Sequence, residues 1–367
     1  MPASIPEGAD TAAATQASGS GTSRNEGGAL MSVLTSPSAP ATRQRISRLQ
    51  GKAKYAPTAA TIALFFAMFA AGSLIYPGFF SGQVFLNLLI DNTFLIVLAV
   101  GMTFVILTGG IDLSVGSVVA LSMMIAAALL QAGWNPFAVI AVVLLTGAVF
   151  GLAMGLVIQV FEIQPFIVTL AGLFLARGLC YVISLDAITV TDPFFTSMAQ
   201  ARIPLPDDMF VSPGVIIALL FVAGAFYLLH HTRFGRTVYA IGGGEASARL
   251  MGLAVPRTKV LVYTVSGFCS ATAGILFSFY SLSGYSLAAQ GMELDAIAAV
   301  VVGGTLLTGG YGYVVGSLAG VLVLGIVQTF ISYQGTLSSW WTRIVIGALL
   351  LLFILLQKVF SRKTKLT

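Results

Sequence analysis

The sequence predicts an all-α integral membrane protein of about ten transmembrane helices in two parallel pseudo-repeats. Of its 367 residues, 57% are apolar and only 8% are charged, whereas soluble domains carry roughly 25% charged residues. A helix of about 20 residues crosses a hydrocarbon core about 30 Å thick. Ten apolar runs are long enough to be candidates, near 58–76, 93–108, 113–133, 137–160, 166–184, 213–230, 259–281, 294–309, 313–333 and 342–358.

The basic residues predict the topology. Fifteen of the 18 lie in three clusters, at 24–54, 233–259 and 358–365. Cytoplasmic loops are enriched in Lys and Arg, and an even number of crossings returns the chain to the side on which it began. We therefore expect both termini in the cytoplasm. The net charge of +5 then reports topology and contact with membrane lipid, and no nucleic-acid partner is predicted.

The chain divides into a tail and a membrane domain. Residues 1–42 are rich in Ala, Ser, Thr and Gly without any period, so we predict a disordered cytoplasmic tail over 1–50. The first apolar run begins near Thr58, too late for a cleavable signal peptide. Residues 51–367 are predicted to form the transmembrane domain.

A ten-residue motif occurs twice. Residues 108–117 match residues 308–317 at six of ten positions, and each copy closes one apolar run and opens the next. The alternative is coincidence in a chain with 40 glycines. Paired, Gly-interrupted apolar segments in two halves of a chain are typical of a transporter's substrate path.

The candidate path residues follow from this motif and from one buried charge. Asp112 is interpreted either as a helix cap or as a polar lining of the path, and the two roles are compatible. Arg177 lies well inside an apolar run, where a charge usually faces a cavity or a partner; the alternative is that it snorkels to the outer interface. The full set is Thr108, Gly109, Gly110, Asp112, Ser114, Arg177, Thr308, Gly309 and Gly310.

The largest inside loop predicts a short helix at about 244–252. Good helix formers follow a Gly run, and Gly252 marks the end. Ala246, Leu250 and Leu253 form one apolar stripe, which favours docking into a groove of another protein; the alternative is a helix lying on the lipid headgroups.

Several functions are disfavoured by what the sequence lacks. It has no phosphate-binding loop of the GxxxxGK[ST] type and no zinc spacing, so neither a cofactor nor a metal is predicted, and no catalytic residues are assigned. A path without its own energy source implies a partner that supplies it. Two rivals stay open at this point: a secondary transporter acting alone, and a membrane-embedded glycosyl-transfer enzyme.

The motifs of this chain resemble those of the ribose-type sugar permeases of bacterial ABC importers. The resemblance rests on Asp91-Asn92-Thr93-Phe94 and on residues 100–117, 232–235, 239–243, 245–252 and 293–300; residues 335–342 are most similar to the galactofuranose importers of that family. It covers about residues 56–360, and the tail departs from the family pattern.

The resemblance implies an inner-membrane permease for a small sugar. Its implied partners are an ABC ATPase, a second permease (a paralogue or a second copy) and a periplasmic sugar-binding protein. It also implies that the loop helix is the coupling helix that enters the ATPase. The candidate coupling residues are Glu245, Ala246, Ala248, Arg249, Leu250 and Gly252.

Overall fold

The structure, a computed structural model, describes residues 56–335 and 340–364. The predicted tail over 1–50 lies outside the described residues. The described part is almost entirely helical, with two small two-stranded sheets in its loops. This is the all-α membrane architecture that the composition predicts.

Fourteen helices and four short strands are described. They are α1 (Ala56–Ile75), α2 (Gly82–Asp91), α3 (Thr93–Leu107), α4 (Val115–Gln131), α5 (Pro136–Val160), α6 (Pro165–Ile183), β1 (Ile188–Thr189), α7 (Pro193–Gln200), β2 (Ile203–Pro204), β3 (Phe210–Val211), α8 (Pro213–His231), α9 (Arg233–Gly243), α10 (Glu245–Leu250), α11 (Val255–Ser281), β4 (Ser283–Gly284), α12 (Met292–Val302), α13 (Val314–Gln334) and α14 (Trp340–Thr364). Strand β1 pairs with β4 and β2 pairs with β3, both antiparallel.

Each of the ten predicted segments coincides with a helix, but the helices differ in length. Six of the described helices are long and apolar enough to cross a membrane alone: α1, α5, α6, α8, α11 and α13. A seventh crossing is possible if α2 and α3, which meet at an angle of 60°, act as one bent span. Helix α12 has only 11 residues, about 16 Å at 1.5 Å per residue. Ten crossings and cytoplasmic termini therefore stay predictions.

Proline and side-chain caps set where several helices begin. Proline occupies the first helical position of α5, α6 and α8, where its missing N–H costs no hydrogen bond. Asn135 caps α5 by accepting from the Phe137 N–H at 2.9 Å. The turns between these helices are therefore encoded locally, even though the helices themselves are apolar on all sides.

A stripe of small residues brings α5 and α11 into direct backbone contact. Gly147, Gly151 and Gly155 are buried on one face of α5. A Cβ at Gly147 would lie 2.5 Å from the Gly267 carbonyl oxygen, and one at Gly155 would lie 2.9 Å from the Cα of Val260. Small residues allow such close approach, which drives helix association where the surrounding lipid is as apolar as the protein.

Helices from the first half of the chain pack against helices from the second half. Helix α1 packs on α13 of the second half, and α11 packs on α4 of the first half. The Thr61 hydroxyl donates to the Val302 carbonyl, and the Thr103 and Ser317 hydroxyls lie 2.8 Å apart in the core. Helix α3 is buried on nearly every side. Because of these contacts, the two halves form a single helical bundle with α3 and α12 near its centre.

Candidate functional site

The two Gly-Gly turns meet in space. The Gly310 N–H donates to the Leu107 carbonyl at 2.9 Å. A Cβ at Gly309 would lie 2.7 Å from the backbone nitrogen of Gly109. Gly109 and Gly309 have positive φ angles of +80° and +83°, a region that residues with a side chain adopt only at an energetic cost. Helices α3 and α12 therefore lead into one junction, as expected for a parallel repeat.

Helix α9 packs directly on this junction. Gly242 lies in direct contact with the Leu107 carbonyl oxygen and the Gly310 nitrogen. This contact requires glycine, because a Cβ at position 242 would overlap both atoms. The Tyr239 hydroxyl donates to the Gly312 carbonyl at 2.8 Å. Three segments distant in sequence thus meet at one point, which we call the Gly junction: residues 107–110, 239–243 and 308–312.

Asp112 lies beside the Gly junction and is almost fully buried, with 3% of its surface exposed. Its Oδ1 accepts from the Ser114 N–H at 3.0 Å and from the Ser114 hydroxyl at 2.6 Å, and its Oδ2 accepts from the Ser266 hydroxyl at 2.7 Å. Hydrogen bonds to a charged group are stronger than neutral ones. Asp112 therefore ties the turn between α3 and α4 to α11.

The Tyr263 side chain is buried next to Asp112. Tyr263 is 2% exposed, and its hydroxyl packs against Gly110 without a hydrogen-bond partner among the described residues. A buried hydroxyl without a partner is costly, and this one lies beside Asp112 at the Gly junction. Sequence analysis missed Tyr263, Ser266 and Gly242, because nothing in their local pattern distinguishes them from other residues of apolar helices.

The predicted path residues divide into two groups. Eight of the nine lie at or next to the Gly junction: Thr108, Gly109, Gly110, Asp112, Ser114, Thr308, Gly309 and Gly310. The ninth, Arg177, lies elsewhere. Thr169, one turn into α6, donates its hydroxyl to the Ile111 carbonyl at 3.2 Å, and Arg177 is eight residues farther on, about 12 Å by helix rise.

Arg177 holds the segment that precedes α12. One guanidinium nitrogen donates to the carbonyls of Ser286 and Ala288 at 2.6 and 2.8 Å. Ala289, the next residue, has a positive φ of +56°, so this segment needs such restraint. The positive charge of Arg177 is therefore bound by two main-chain carbonyl oxygens.

The predicted short helix forms as α10, Glu245–Leu250, directly after α9. Of the predicted apolar stripe, Ala246 and Leu250 are exposed and Leu253 is partly buried. Ala248 is fully buried against Ile241 and Val255, whereas Leu250 is 90% exposed and Met251 is 66% exposed. Gly252 ends the turn at a φ of +74°. Residues Ala246 and Leu250 are thus on the outward side, and Ala248 anchors the helix.

Ion pairs fix α10 to the bundle. Glu245 bonds Arg249 at 2.8 Å within the helix and Lys259 of α11 at 2.5 Å. Partial burial raises the pKa of Glu245, but hydrogen bonds from Lys259 and Arg249 and their positive charges outweigh it, so the pKa lies below its ordinary value. Glu245 therefore stays ionised and paired at neutral pH.

Comparison with known proteins identifies the family. Residues 84–354 match the model of the family described as "Branched-chain amino acid transport system / permease component". This chain belongs to that permease family. Among curated relatives, it is 47% identical over 284 residues to the inner membrane ABC transporter permease protein YjfF of Escherichia coli (strain K12), covering 77% of this chain and 86% of that protein.

Two further relatives carry a sugar in their names. The chain is 44% identical to the fructose import permease protein FruG of Bifidobacterium longum, covering 82% of this chain and 90% of the relative. It is 39% identical to the ribose import permease protein RbsC of Escherichia coli (strain K12), covering 79% and 90%. No solved structure matches. The chain is thus a multi-pass inner-membrane protein and a transport component rather than an enzyme, which confirms the resemblance found in the sequence.

Proposed function

We propose that this chain is the membrane subunit of a bacterial importer that moves a small sugar into the cytoplasm, powered by a separate ABC ATPase. The observation that carries the proposal is the exposed apolar tip of α10. Leu250 and Met251 project from a helix that Ala248 and Glu245 hold in place. An exposed apolar patch rimmed by charge is typical of a protein-binding surface, and a helix presenting one fits a groove on a partner.

The route from α10 to the substrate path runs through the Gly junction. Helix α10 follows α9 after Gly244, and α9 packs through Gly242 on both Gly-Gly turns. A displacement of α10 by the ATPase would therefore move the ends of α3 and α12 together. In this proposal, the Gly junction and the adjoining Asp112 and Ser114 act as the hinge that opens the path alternately to the two sides.

The relatives support the proposed class of substrate, and the sequence resemblance supports the other proposed partners. Two relatives are named as import permeases for fructose and ribose, which supports a monosaccharide as the substrate. Among monosaccharides, the sequence resemblance favours a galactofuranose-like sugar. The remaining partners are a periplasmic sugar-binding protein and a second permease, either a paralogue or another copy of this chain. The termini and the α9–α10 loop face the cytoplasm.

The test is to reverse the character of the α10 surface. Arg249→Glu combined with Leu250→Asp should abolish ATP-driven uptake of sugar by the assembled importer in proteoliposomes, while the subunit still reaches the membrane. The control is Arg257→Glu, which reverses an exposed arginine at the start of α11 and leaves the sequence of α10 unchanged. Undiminished uptake in the double variant would remove the coupling role from α10.

A further inference from the structure

A polar cavity of about 710 Å³ lies at the end of the bundle away from the Gly junction. Its walls are the last turn of α4, the end of α6 and the segment 184–192, which contains β1. Helix α4 begins at Val115 near the junction, and Gln131 is 16 residues farther on, about 24 Å by helix rise. The volume is within the range of about 300–1,000 Å³ found for small-molecule sites.

The lining combines polar groups with apolar surface. Polar side chains come from Gln131, Ser184, Asp186, Thr189, Thr191 and Asp192. The apolar surface comes from Ala128, Leu130, Ile183, Ala187, Ile188 and Val190. The Gln131 amide, the Asp186 carboxylate and the Thr191 hydroxyl form no hydrogen bond with any other described residue. All three side chains are exposed, so a ligand can reach their polar groups by displacing water.

The wall of the cavity is held in place by the rest of the fold. Strand β1 pairs with β4, and the Val190 N–H donates to the Leu282 carbonyl at 2.8 Å. Asp192 caps α7 by accepting from two N–H groups, and the Phe195 ring packs on Phe279 with centroids 4.8 Å apart. A wall fixed before binding does not lose conformational freedom when a ligand arrives.

We propose that this cavity is a monosaccharide subsite of the permease itself. A sugar presents a rim of hydroxyls and apolar ring faces, and amide, carboxylate and hydroxyl groups beside aliphatic side chains complement both. The lining contains two carboxylates and no Lys, Arg or His, which favours an uncharged sugar over a phosphorylated or carboxylated one. The assignment rests on the proposed function, since the cavity lies at the end where an imported sugar would arrive.

The experiment detects the sugar on the permease without the binding protein. The complete permease–ATPase assembly in nanodiscs is examined by saturation-transfer difference NMR with D-ribose, D-fructose and D-galactose in turn. At least one sugar should receive saturation from the assembly. The variant Gln131→Leu with Asp186→Asn should reduce that transfer at least fivefold.

The control variant is Gln200→Leu with Asp208→Asn, which makes the same two changes at exposed positions outside the cavity lining; it should leave the transfer unchanged. No transfer to any of the three sugars, or equal transfer in the cavity variant, overturns the subsite. ATP-driven uptake with the binding protein added, measured on the same preparation, reports separately on the proposed function. Uptake that persists while transfer is absent refutes only the subsite.

Discussion

Replacement of Gly309 by alanine tests the close contact between the two halves of the chain. Its φ of +83° costs an L-residue about 1–2 kcal/mol. The new Cβ would also lie 2.7 Å from the Gly109 nitrogen and 3.0 Å from the Cα of Gly242. Both neighbours are backbone atoms, which cannot rotate away, and overpacking of this kind costs about 1–3 kcal/mol. We expect a loss of about 2–5 kcal/mol in the free energy of unfolding.

The matched control is Gly133→Ala. Gly133 has nearly the same φ, +80°, but a Cβ there meets nothing within 4 Å. The control therefore carries the backbone cost alone, about 1–2 kcal/mol. Both variants are unfolded by titration with SDS in mixed micelles and followed by circular dichroism. Equal losses of stability in the two variants would show that the Gly junction is not packed as described.

Three further predictions concern the buried polar groups and α10. Ser266→Ala should lower the free energy of unfolding by about 1–3 kcal/mol, because it leaves a buried oxygen of Asp112 without its hydrogen bond; Ser270→Ala, whose hydroxyl bonds only within α11, should cost less in the same SDS titration. Thr103→Val and Ser317→Ala should each destabilise by about 1 kcal/mol. The double variant should cost less than the sum of the two, and strict additivity in that cycle would contradict their contact. Because the pKa of Glu245 is lowered on folding, its contribution is present above the unfolded value of about 4.3 and is lost as the pH falls through the lower folded value. The protection factor of the α10 amides, which is the intrinsic exchange rate divided by the observed rate, should fall in that range, and Glu245→Gln should lower it already at neutral pH; a protection factor in the unmodified chain that does not respond to pH would contradict the ion pairs.

The helices were predictable because their signals are local. Apolar runs, prolines at first helical positions and glycines at the breaks placed eight of the ten segments within about four residues at each end, the exceptions being the ends of α12 and α14. The length of α12 was harder to predict, since the segment expected over 294–309 ends at Val302. The apolar run that continues to Leu307 turns at Gly303, where the backbone of α12 packs against Gly316. That contact depends on tertiary packing, which the composition of the apolar run does not predict.

The candidate site was predictable in part for the same reason. The repeated motif identified both Gly-Gly turns, and the parallel repeat predicted that they lie at one end of the bundle. The involvement of Gly242 and Ser266 depends on how α9 and α11 pack, which no spacing in the sequence reveals. Of the predicted apolar stripe on α10, Ala246 and Leu250 are exposed, whereas the inward contact with Ile241 and Val255 is made by Ala248, which the stripe does not include. Leu250 is left exposed, which in our proposal makes it available to a partner.

Uptake measured with and without the ATPase tests the central claim most directly. The permease assembly is reconstituted in proteoliposomes with the periplasmic binding protein, and labelled sugar is added. Our account predicts accumulation only when the ATPase and ATP are both present on the α10 side of the membrane. Accumulation driven by a proton or sodium gradient, with this chain alone in the vesicles, would contradict it.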